Sequence, residues 1–86
     1  MLELKKISGE ILWYSFEALR FRLADNTGYT PDFIVLRSDG VIEAHEVKGF
    51  WVDDARVKIK VAAEMYPFIF RALQFKKGKW TEEVFE

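Results

Sequence analysis

The stretch YTPDFIVLRSDGVIEAHEVK, residues 29–48, holds two runs of branched and aromatic residues on either side of Ser38-Asp39-Gly40. Runs of this composition bounded by turn residues read as β-strands, and a short Asp-Gly connection folds them into a hairpin. Tyr29 to Leu36 is the outgoing strand and Val41 to Lys48 the returning one. Folding the chain about residues 38–40 sets Asp32 opposite Glu46. Cross-strand partners share a face of a sheet, and so do residues i and i+2 along a strand. One face therefore carries Asp32, Ile34, Leu36, Ile42, Ala44, Glu46 and Lys48. The apolar members belong in a core. The charged ones, two carboxylates and an ammonium, gather at one end and break the burial pattern, as functional sites do.

Crowding these groups is costly unless something binds between them. Asp32 and Glu46 supply hard anionic oxygens suited to Mg2+ or Mn2+. The main-chain carbonyl of Val47 offers a further, neutral ligand. Lys48, beside such an ion, is placed to orient or deprotonate an attacking water and to stabilise charge on a phosphate. The chemistry expected of this set is metal-dependent phosphodiester hydrolysis. The bland alternative is that Lys48 bridges the two acids at the rim of the sheet with no ligand involved.

A length of 86 residues bounds the chain to one domain, 1–86, with a small core. Half the residues are apolar and 16% aromatic, which excludes a disordered chain. The absence of cysteine excludes disulfides and thiolate metal sites and fits a reducing compartment. No stretch approaches the roughly 20 apolar residues of a membrane span, and the N-terminus lacks the apolar region of a signal peptide. The cytoplasm is the expected location, that of the host cell if the chain is phage-encoded. A net charge of −1 does not by itself indicate nucleic acid, but cations cluster at Arg56, Lys58 and Lys60 and again at Lys76, Lys77 and Lys79.

Outward from the hairpin, Leu2 to Ile7 is compatible with the last turns of a helix that Ser8-Gly9 ends. Glu10 to Leu23 reads as one long or broken strand pair bent near Glu17, with a turn at residues 25–28. After Gly49, Asp53 or Asp54 caps a crossover helix at 54–66, limited by Pro67. On it Val57, Val61 and Met65 form one apolar stripe, and Ile59, Ala62 and Tyr66 another. Phe68 to Leu73 is a buried strand, the lysines around Gly78 form a turn, and Trp80 to Glu86 has no clear pattern. The expected fold is α/β (α+β), a mixed sheet of about four strands with one crossover helix.

The succession Tyr29-Thr30-Pro31-Asp32-Phe33, a hairpin, then Glu46-Val47-Lys48-Gly49 resembles the PD-(D/E)XK nuclease superfamily. The likeness is to small phage-type endonucleases and Holliday-junction resolvase-like proteins. It extends to Tyr14-Ser15-Phe16-Glu17 and Arg20-Phe21-Arg22, and covers about residues 9–70. The resemblance implies a restriction-endonuclease-like αβββαβ core, Mg2+ dependence, and Asp32, Glu46 and Lys48 as the catalytic set. Members of the family carry an acid on a helix before the first strand, which here is expected to be truncated. Glu3 or Glu17 would complete the metal site, or another chain would lend the helix, or the protein is a reduced, poorly active member.

Lys58 is a candidate for the scissile phosphate, Arg56 and Lys60 for the DNA backbone, and Trp51 for stacking on a base. A solvated helix face and a core-capping loop explain the same residues without DNA. His45 alternates to the opposite strand face and is expected to be structural. Arg20 and Arg22 share a strand face suited to DNA or to pairing with acids. The leading expectation is a Mg2+-dependent endonuclease cutting DNA, branched or structured DNA included, as a homodimer. Its alternatives are a nucleic-acid-binding module that keeps the fold without catalysis, and an interaction subunit.

Overall fold

In chain order the elements are α1 (Leu2–Ser8), β1 (Ile11–Phe16), β2 (Phe21–Ala24), β3 (Thr27–Tyr29), β4 (Phe33–Arg37), β5 (Ile42–Lys48), α2 (Asp53–Met65), β6 (Ile69–Lys76) and β7 (Lys79–Phe85). The computed structural model describes residues 2–48 and 53–86. The hairpin forms as β4 and β5, antiparallel, with Phe33 opposite His45 and Ile34 opposite Ala44. That register, carried one residue outward, sets Asp32 against Glu46. Helix α2 then returns the chain as β6, parallel to β5, the connection that a parallel pair requires. With β1 antiparallel to β4 and β7 antiparallel to β6, the result is an α+β fold with a mixed five-stranded sheet, ordered β1-β4-β5-β6-β7.

Three elements differ from the sequence expectation, each for a local reason. The strand expected from Tyr29 to Leu36 is broken: Tyr29 ends β3, and pairing resumes only at Phe33. Pro31, buried between them, has no N–H to give a ladder. Residues 10–23 do bend at Glu17, which takes a left-handed φ of 50°, but the two halves do not pair with each other. Strand β1 joins the main sheet, while β2 pairs with β3 in a separate two-stranded sheet. The tail beyond Gly78 is a full edge strand, β7, reached by a tight turn with Lys77 at φ 53° and Gly78 at 74°. Its Glu82 and Glu83 hide the alternation because their partners are charges: Arg71 Nη1 lies 2.5 Å from Glu82, and Arg56 pairs with Glu83.

The core lies between the sheet and α2. Ile34, Ala44, Phe70 and Ala72 meet Ile59 and Ala62 of the helix, with Phe21 and Phe85 closing the ends. The inward stripe of α2 is therefore Ile59, Ala62 and Tyr66, whereas Val57 and Met65 are 57% and 51% exposed. Phe21 anchors the small β2–β3 sheet in this layer. Its ring sits 4.9 Å from Tyr66, 5.7 Å from Phe68 and 5.3 Å from Phe70, centroid to centroid. The Tyr66 hydroxyl also donates to the Arg22 carbonyl at 2.6 Å, so the hairpin is clamped to α2 from both strand and helix. An added Cβ at Gly28 of β3 would meet the Arg20 guanidinium at 2.5 Å, the movable end of an exposed side chain.

The other face of the sheet is covered only in part, by α1. Gly9, at φ 87°, closes that helix; its own N–H donates to the Lys6 carbonyl and that of Glu10 to the Lys5 carbonyl. A hollow of about 530 Å3 remains beneath it, walled by Leu2, Ile11, Val35, Leu73 and Trp80. Its floor is ionic. Glu43 is buried and receives His45 Nε2 at 2.7 Å, Arg71 Nε at 3.0 Å and Arg37 Nη1 at 3.0 Å. No helix among the described residues is long and apolar enough to cross a membrane.

Burial pushes the Glu43 carboxyl up, but the bonds from His45, Arg71 and Arg37 together hold it below the usual glutamate range. A depressed folded pKa stabilises the fold above the unfolded value and loses that stabilisation as pH falls through the folded one. Glu43→Gln weakens the acceptor that His45, Arg71 and Arg37 share, although Arg71 keeps Glu82 and Arg37 keeps Asp39, and is expected to cost about 1–3 kcal/mol at neutral pH. The variant should also show a shallower loss of stability on acidification. Urea unfolding at pH 3 to 7 checks both, and equal acid sensitivity in the two proteins would contradict the assignment.

Candidate active site

The site is assembled where β4 begins and β5 ends. The main-chain N–H of Val47 donates to Asp32 Oδ2 at 2.8 Å, so the Asp32 carboxylate is pinned to the last turn of the β5 ladder. Glu46 and Lys48 alternate with Val47, and Lys48 Nζ lies 3.2 Å from Glu46 Oε2. Glu46 Oε1 accepts a hydrogen bond from the Tyr29 hydroxyl at 2.7 Å. Asp32, Glu46 and Lys48 are thus brought together, with Tyr29 as a fourth member that its sequence position did not suggest. Tyr29 stands at the end of a strand from the other sheet, and only the break at Pro31 turns it back toward β5.

The electrostatics are unbalanced toward negative charge. Burial raises the Glu46 carboxyl above the ordinary glutamate range, and the charge of Asp32 raises it further. The bonds from Tyr29 and Lys48 pull the other way without cancelling that rise. The Tyr29 phenol is driven strongly upward by burial and by its bond to Glu46, so it stays a protonated donor. A divalent cation between Asp32 and Glu46 would relieve this imbalance.

Among the described residues no group of three His, Cys, Asp or Glu side chains is set to hold a metal ion. Neither Glu17 nor Glu3 therefore completes a three-carboxylate cage. The Glu17 amide donates to the Asp32 carbonyl at 2.8 Å, placing the two main chains side by side, but its left-handed φ turns the chain out of the strand there. Glu3 sits on the α1 face, where its carboxylate accepts the Tyr14 hydroxyl at 2.9 Å. The donor set that remains is Asp32, Glu46 and the Val47 carbonyl. It suits Mg2+, which keeps several waters and binds through one or two carboxylates and substrate phosphates.

The cations expected to meet DNA divide into two kinds. Lys58 and Lys60 are exposed on α2. Arg56 is instead engaged within the fold, paired with Glu83 and lying 5.8 Å over the Phe85 ring. Arg22 pairs with Asp25 across its turn. Trp51 and its neighbours Phe50 and Val52 lie outside the described residues. His45 faces away from the site and is bound to Glu43, a structural role. No protein-family model, no curated protein and no solved structure matches the chain.

Because the folded pKa of Glu46 is raised, its ionisation opposes folding. Its contribution to stability is present below the unfolded value, about 4.3 for glutamate, and fades as pH rises through the folded one. Carbon-detected NMR titration is expected to place Glu46 above the ordinary range and to show it moving down in Asp32→Asn. A Glu46 titration unaffected by loss of the Asp32 charge would show that the two carboxylates are not coupled.

Proposed function

We propose that this chain is a Mg2+-dependent endonuclease domain with a restriction-endonuclease-like core, acting on DNA. The observation that carries this is the convergence of Asp32, Glu46 and Lys48 at the end of one hairpin, with Glu46 under-compensated by its neighbours. The order α1, β1, β4, β5, α2, β6 supports the core, with β2–β3 an insertion before the Pro-Asp step and β7 an added edge.

Asp32, Glu46 and the Val47 carbonyl would hold the ion, which supplies Lewis acidity to a phosphate oxygen and a lowered pKa for water. Lys48, a quarter exposed beside Glu46, orients the water and stabilises the charge that builds on the phosphate. Lys58 and Lys60 offer backbone contacts from the exposed side of α2. Branched or structured DNA is the proposed substrate class, a homodimer the proposed working unit, and the cytoplasm, of the host if phage-encoded, the proposed setting. A DNA-binding module without catalysis is the second reading, favoured because no third acid joins the pair among the described residues.

Cleavage of junction, flap and linear DNA in Mg2+, abolished by EDTA, is the expected result. Lys48→Met should spare metal binding while turnover falls by roughly 100-fold or more. Salt-dependent DNA binding with no cutting of any substrate would select the second reading.

A further inference from the structure

The β2–β3 sheet is not part of the main sheet, yet the fold holds it tightly and its last residue reaches the site. Phe21, on β2, packs among Tyr66, Phe68 and Phe70, and Phe21 is also the cross-strand partner of Tyr29. The Tyr29 ring lies 6.4 Å from Phe70, on the core side of β6. Its hydroxyl then meets Glu46 Oε1 at 2.7 Å, while Lys48 takes the other oxygen of the same carboxylate.

We propose that the β2–β3 hairpin is a positioning device and Tyr29 its positioning residue, fixing the rotation of the Glu46 carboxylate toward the side where Asp32 stands. This deepens the nuclease reading and rests on it. A carboxylate oxygen has two acceptor sites, so one hydrogen bond on each oxygen of Glu46 leaves a free lone pair on both. Lys48 alone is a poor guide, because an ammonium on a flexible stem is a point charge that follows the carboxylate as it turns. A phenol on a rigid ring, braced by Phe21 and Phe70, is not free to follow. Partners of this kind orient metal ligands and fix the plane in which they offer their electrons. Reaching Glu46 from a second sheet requires a long side chain, which serine or threonine at the same place would not provide.

Tyr29→Phe keeps the ring and removes only the hydroxyl. Mn2+ binding to the DNA-free protein, measured by calorimetry, is expected to weaken about 10- to 100-fold, with cleavage at subsaturating Mn2+ falling in step. Tyr66→Phe is the control. It deletes another hydroxyl from the same aromatic cluster, one bonded to the Arg22 carbonyl rather than to Glu46. Mn2+ affinity in that variant should match the parent protein. Parental Mn2+ affinity in Tyr29→Phe, with Glu46→Gln impaired, would overturn the positioning role and leave the nuclease reading standing. Equal losses in Tyr29→Phe and Tyr66→Phe would mean general loosening and also overturn it. A parent protein that binds no Mn2+ would sink the nuclease reading and this role together.

Discussion

The hydrogen bond from the Val47 amide to the Asp32 carboxylate ties the open end of the β4–β5 hairpin together. The chain before β4 is interrupted by Pro31, and Asp32 is held by this bond through its carboxylate and by the Glu17 amide through its carbonyl. With the Val47 bond, the register that pairs Phe33 with His45 continues through the acid, and Glu46 and Lys48 are presented beside it. The remainder of the fold secures that arrangement. Helix α2 and β6 bury the inner face of β5, and the small sheet brings Tyr29 against Glu46.

Strand β5 carries two glutamates of equal burial, each 6% exposed, that have opposite fates. Glu43 faces α1 and is surrounded by His45, Arg71 and Arg37, which hold its carboxyl below the ordinary range despite desolvation. Glu46 faces α2 with one lysine, one tyrosine and the like charge of Asp32, and its carboxyl is raised. The first is a closed ionic network; the second sets one lysine against two carboxylates. Desolvation together with the like charge of Asp32 is the feature of Glu46 on which the proposed active-site role rests.

Much of this was legible in the sequence. The turn at residues 38–40 fixed the register, and period-two alternation put the charged trio on one face. The end of α1 at Gly9 and the span of α2 were readable from a glycine and a proline. What escaped notice depends on partners far along the chain. Strand β7 looks patternless because its acids answer Arg71 and Arg56 rather than a core. Tyr29 looks like part of β4 because nothing local reveals that Pro31 separates two sheets. Arg56 reads as a solvated cation because its partner, Glu83, lies on a strand that the pattern did not reveal. The stripe containing Val57 and Met65 has helical spacing, yet only the stripe of Ile59, Ala62 and Tyr66 faces the sheet.

The most direct measurement is anomalous diffraction from a crystal of the protein soaked in Mn2+. The account predicts one strong peak bounded by the Asp32 and Glu46 carboxylates and the Val47 carbonyl, with Tyr29 still on Glu46. A map with no peak there, or with manganese only at Glu3 or Glu43 on the far face, would contradict it.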